Sequence, residues 1–133
     1  MSRAVLAAAK TQAAEDLIPG VALHAFKRVL KDRYATPPHR IEFDYKDALR
    51  RIKEAVYIGH TETAERAEEI SGETDGDTIW VMRDLTFDGL VGTLIHEALH
   101  DSVYIVRPTR GGNKRGLTCD DEHRAIDLVI PNE

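Results

Sequence analysis

The chain has 133 residues, 42% of them apolar, and a formal net charge of −5. That length suits one domain with a real core, and the apolar content excludes wholesale disorder. The acidic balance leaves no global nucleic-acid footprint, no stretch reaches the length of a membrane span, and a single cysteine excludes an internal disulfide framework and fits a reducing, cytoplasmic setting.

The N-terminal forty residues read as helical. An apolar run within residues 1–10 is too brief and too soon charged for a signal peptide. Residues 2–17 predict an alanine-rich helix stopped near Pro19 and Gly20, and residues 21–30 a second, with Leu23, Phe26, Val29 and Leu30 on one face. Thr36, Pro37, Pro38 and His39 break the chain. Residues 41–45 alternate like a strand, and from Asp47 a helical pattern returns through Ala48, Ile52 and Val56. Beyond Gly59, residues 61–70 read as a strongly charged amphipathic helix or a solvated segment.

Residues 78–82 are a β-branched and aromatic run, introduced by the turn-like residues 72–77, and predict a strand. If that strand is a sheet edge, an extended peptide can add to it. A helix follows, with Thr86 or Asp88 as N-cap and Leu90, Leu94 and Ile95 at helical spacing, the apolar pattern running on through Ala98, Leu99 and Val103. It carries His96-Glu97-Ala98-Leu99-His100, the HExxH pattern. Histidines four apart on a helix lie one turn above each other, so both imidazoles can address one metal ion. The intervening Glu97 then falls beside the open coordination position, where a general base is needed.

A catalytic zinc site needs a third protein ligand from another element. Residues 119–131 predict a last helix, with Asp120 as N-cap, acids in the first turn and Pro131 as the stop. Glu122, Ala125, Ile126 and Val129 recur on one stripe, which makes Glu122 the charged member of a core-facing row and the first choice as ligand, because a buried carboxylate is costly unless paired or metal-bound. His123 is the second choice, with Asp127 one turn on to orient its other ring nitrogen. Cys119 is the third. His24, His39 and His60 have no ligand spacing.

The basic loop 107–115, with Arg107, Arg110, Lys114 and Arg115 in an otherwise acidic chain, lies between the two ligand-bearing segments and so at the rim of the cleft. It offers contacts to an acidic partner, a substrate carboxylate or nucleic-acid phosphates. A solvated connector is the plainer reading of a glycine-rich loop. Its glycines lack the Walker-A pattern.

HExxH followed by a helix bearing Glu122 resembles the gluzincin-type metallopeptidases, and the ending from Glu122 to Pro131 is similar to the terminal helix of the ImmA/IrrE peptidases. The helix-borne HExxH with a later ligand also resembles the SprT-like proteases, in which that ligand is a histidine. These resemblances cover about the C-terminal 40% of the chain. They imply a zincin-like α+β domain: helices packed on a small, mostly antiparallel sheet, residues 1–133 as one unit, 1–40 as its helical N-terminal part and 78–131 as the metal-site core. They imply a zinc-dependent peptidase acting on a peptide or protein substrate. His96, His100 and Glu122 would hold Zn2+, Glu97 would be the general base, and Tyr104 or a loop arginine would assist at the oxyanion. The alternative is an inactive binding or regulatory module on the same scaffold, its zinc structural and closed by a fourth ligand such as Cys119 or His123.

Overall fold

The computed structural model describes residues 2–34, 40–58, 71–106 and 114–130. Its first helix, α1 (Arg3–Asp16), starts where Ser2 Oγ accepts a hydrogen bond from the Val5 amide at 3.2 Å, and Leu17 is its C-cap. Helix α2 (Pro19–Tyr34) begins on a proline, whose missing N–H costs nothing in the first turn. It runs past the predicted end at residue 30. Phe26 and Leu30 of the predicted face are buried and Leu23 and Val29 half-buried.

Strand β1 (Arg40–Phe43) leads into α3 (Tyr45–Glu54), capped by Asp44, which accepts from the Asp47 amide at 3.1 Å. Val56, predicted on the helix, instead opens the short strand β2 (Val56–Tyr57) and is exposed, because α3 stops at Glu54. Strands β3 (Gly72–Thr74) and β4 (Ile79–Val81) follow, then helix α4 (Phe87–Leu99), capped by Thr86. Strands β5 (Val103–Val106) and β6 (Lys114–Gly116) precede helix α5 (Cys119–Val129). The cap of α5 is Thr118, whose Oγ1 accepts from the Asp121 amide, so Asp120 lies inside the first turn instead of capping it. The predicted break at residues 36–39, the charged segment 61–70, residues 107–113 of the basic loop and the Pro131 stop lie outside the described residues. Lys114 and Arg115 of that loop belong to β6.

The architecture is α+β, with two three-stranded sheets among the described residues. One is antiparallel, ordered β1-β5-β6; the other is ordered β2-β4-β3, with β2 and β4 parallel and β3 and β4 antiparallel. Strand β4, which could take an added peptide only as a sheet edge, is central and paired on both sides; among the described residues the edges of its sheet are β2 and β3. Among the described residues no helix is long and apolar enough to cross a membrane.

Helix α4 is the core of the fold. Leu90, Leu94, Ala98 and Leu99 are fully buried, packed with Ala9 and Ala13 of α1, Ile52 of α3, and Ile79 and Val81 of β4. Each fully buried leucine or isoleucine side chain contributes about 1.5–3 kcal/mol. On its other flank α4 meets β3, and the approach is close. A Cβ on Gly72 would lie 2.6 Å from Thr93 Cγ2 and 3.3 Å from Glu97 Cγ, so glycine is what lets this edge strand settle on the HExxH segment.

That contact gives a direct test. Gly72→Ala should destabilise the protein by about 1–3 kcal/mol through overpacking. Adding Thr93→Ser, which removes the clashing methyl, should recover most of the loss in urea denaturation. Full additivity of the two changes would contradict the packing described.

Candidate metal centre

Helix α4 does not continue through Val103. It ends at Leu99, His100 is the C-cap with extended backbone, and Asp101 takes a positive φ of 62° before β5 begins at Val103. Two side chains hold this end. The first is Arg51 of α3, wholly buried, whose guanidinium donates to the carbonyls of Glu97 (3.2 Å), Ala98 (2.6 Å) and His100 (2.8 Å) and to Ser102 Oγ. It also reaches Thr74 Oγ1 on β3 at 3.5 Å and pairs through Nε with Asp47, one turn back on α3, at 3.2 Å. A cation at a helix C-terminus meets both the free carbonyls and the negative end of the helix dipole.

The second is Glu122, 5% exposed, in the first turn of α5. Its Oε2 accepts the Asp101 amide at 2.7 Å, and its Oε1 lies 3.1 Å from His100 Nδ1. With Nδ1 bound to a carboxylate, His100 carries its proton there and turns the Nε2 lone pair the other way. That Nε2 stands 3.2 Å from His96 Nε2. Two nitrogens on one tetrahedral zinc, each about 2.0–2.1 Å from it, would be about 3.3 Å apart. The pair therefore fits a shared ion.

The third member of the cluster is His123, not Glu122. The candidate ligand atoms of His96, His100 and His123 all lie within 4.8 Å of one another. Ring centroids are 4.9 Å apart for His96 and His100, 5.4 Å for His96 and His123, and 4.7 Å for His100 and His123. The core-facing position of Glu122 is as the sequence predicts, but burial is met by the His100 ring and the Asp101 amide, so the carboxylate stands behind the trio. His123, on the exposed flank of α5, faces the other two rings. Its Nδ1 lies 3.6 Å from Cys119 Sγ rather than on Asp127, whose charge acts on His96 instead. Cys119 is a free, exposed thiol outside the trio. Tyr104 directs its hydroxyl to the Asp101 carbonyl at 2.8 Å. His24 is exposed on α2, and His39 and His60 lie outside the described residues.

The electrostatics divide the three acid–base groups. Burial, then the neighbouring His100 and His123, push His96 down to about 4, so its ring is neutral near pH 7 and its lone pair free. Burial also opposes charge on His100, but the Glu122 hydrogen bond and charge outweigh it and raise its pKa. Glu97, 8% exposed, receives no hydrogen bond on its carboxylate from the described residues. Burial raises its pKa above the ordinary value, against the pull of His100.

Sequence reasoning missed Arg51 and Gly72. For Arg51 a signal existed: it sits three after Ala48 and one before Ile52, a charge among the buried residues of α3, the same anomaly that marks Glu122 on α5. Nothing local marks Gly72. Comparison with protein-family models, with curated proteins and with solved structures finds no significant match for this chain.

The raised pKa of Glu97 has a stability consequence. Its ionised form is disfavoured by folding, so above the ordinary carboxylate pKa of 4.5 the metal-free fold loses stability as pH rises toward the folded value. Glu97→Gln should therefore raise the melting temperature of the metal-free protein at pH 7.5 by a few degrees. The gain should shrink below pH 4.5. Thermal melts in EDTA at the two pH values check this, and a lower melting temperature for the variant at pH 7.5 contradicts it.

Proposed function

We propose that the chain is a zinc-dependent peptidase in which His96, His100 and His123 hold the ion and Glu97 is the general base. The observation that carries this reading is the histidine trio itself: two Nε2 atoms 3.2 Å apart and a ring nitrogen of His123 within 4.8 Å of a ring nitrogen of each, drawn from two helices. Imidazole suits zinc, and three protein ligands are the number that leaves a position for chemistry. Zinc bound there supplies a Lewis acid that lowers the pKa of water and polarises a carbonyl.

The chain's own residues supply the rest. Glu97 is buried, without a hydrogen-bond partner among the described residues, and raised in pKa, which suits a carboxylate that takes a proton from water and returns it to a leaving amine. Glu122 fixes the tautomer and orientation of His100, the usual task of a carboxylate behind a metal-binding histidine. Cys119 stands outside the trio, which supports an open catalytic site over a closed structural one. The peptide bond as substrate rests on the HExxH resemblance, and a histidine third ligand matches what the resemblance to the SprT-like proteases implies.

Purified protein reconstituted with zinc should carry about one ion per chain by elemental analysis. His123→Ala should lose that ion, whereas Glu122→Ala should weaken binding by about 10–100-fold. Metal retained by His123→Ala and lost by Glu122→Ala would restore the carboxylate as ligand. Glu97→Gln should keep the ion and lower hydrolysis of a casein or peptide-library substrate by about 10²–10⁴-fold. Equal cleavage by variant and wild type would remove Glu97 from the mechanism.

A further inference from the structure

The cluster's least obvious dependence is on a residue of another helix that touches none of the three rings. Arg51 is 0% exposed, and its donors fall on three backbone carbonyls of the HExxH segment: Glu97 O, Ala98 O and His100 O. The first of these belongs to the proposed base and the last to a proposed ligand. Ser102, which accepts from Arg51, donates in turn to the Ala98 carbonyl, so the turn from His100 into β5 closes on the guanidinium. Through Thr74 the same group reaches β3, the strand whose Gly72 lies against Glu97.

Helix ends fray, and the last carbonyls of α4 lack partners inside the helix. His100 is the C-cap, beyond the last helical residue, so its ring is only as well placed as the turn that carries it. His96, a full turn earlier, is held by the helix ladder. The two histidines thus have unequal support, and Arg51, with Glu122 from the opposite side, provides what the helix does not.

We propose that Arg51 is a positioning residue that sets the metal affinity of the site by fixing the backbone of His100 and Glu97. This rests on the reading of the trio as a zinc site. A planar fork with several donors can bind three carbonyls and a hydroxyl at once; a lysine keeps the charge but not the fork. Arg51→Lys should therefore leave the protein folded at low temperature and still weaken zinc by about 10–100-fold, the usual effect of losing an outer partner of a metal ligand.

The experiment measures zinc affinity by chelator competition at 10 °C for wild type, Arg51→Lys and Leu17→Ala. Leu17 is the buried C-cap residue of α1, a helix that carries none of the ring residues, and its truncation provides a destabilised control. The cobalt(II) absorption spectrum is recorded for each as a readout of ligand geometry. The expected result is weaker zinc binding and altered cobalt bands in Arg51→Lys alone, with Leu17→Ala matching wild type despite its lower melting temperature. If Arg51→Lys does not fold, Ser102→Ala, which removes one acceptor of the fork, takes its place with the same expectation in smaller measure. Wild-type affinity and spectrum in the Arg51→Lys or Ser102→Ala protein would overturn the positioning role while leaving the zinc site intact. Equal weakening in Leu17→Ala would reduce Arg51 to a general stability effect and also overturn it. A wild type that takes up neither zinc nor cobalt would overturn the site, and with it this role.

Discussion

A buried arginine on the carbonyl end of α4 is the constraint on which the rest depends. Taking a guanidinium out of water costs several kcal/mol, which acceptors and an opposite charge must offset. The two terminal nitrogens of Arg51 have acceptors in three backbone carbonyls and two hydroxyls, and its Nε, which makes no hydrogen bond, faces the Asp47 carboxylate as an ion pair. The dependence runs both ways. Without the arginine, the last carbonyls of α4 would be buried and unpaired; without the carbonyls, the charge could not be buried. Breaking such an arrangement from one side typically costs about 3–5 kcal/mol. The helix end, the left-handed Asp101 and the start of β5 are therefore fixed together.

Around that fixed end the charges are sorted by position. The cation sits behind the backbone of the HExxH segment, where it meets the dipole. The Glu122 anion sits in the first turn of α5, where the opposite helix end favours it, and reaches across to the Asp101 amide and the His100 ring. One helix C-terminus and one helix N-terminus thus meet at the turn of residues 100–102, each carrying the side-chain charge that suits it. The arrangement leaves His96 neutral and raises the affinity of His100 for protons, so the two rings differ in basicity although they share one motif.

Glu97 is the exception, and it is informative. Glu122 is hydrogen-bonded on both carboxylate oxygens, while the Glu97 carboxylate, mostly buried beside β3, accepts no hydrogen bond from the described residues. A fold selected for stability alone would not keep an ionisable group there. Local cost concentrated on one side chain beside a histidine cluster supports the general-base role proposed for Glu97.

The sequence by itself determined the local elements and the residue types of the site. Helical spacing located α1, α2, α4 and α5, alternation located β1, a β-branched and aromatic run located β4, and the HExxH spacing put His96 and His100 on one helix face, because those relations depend on neighbours within a turn or two. Tertiary structure decided the rest. Whether Glu122 or His123 joins the trio turns on the angle at which α5 crosses the end of α4, and adjacent residues on a helix point about 100° apart. A core-facing stripe told that Glu122 is buried but not what buries it. The α4 helix stops at Leu99 although Val103 extends its apolar pattern, because Arg51, 46 residues before Glu97, competes for its last carbonyls. And β4 is central, not an edge, because strand pairing joins segments far apart in the chain, which no local period records.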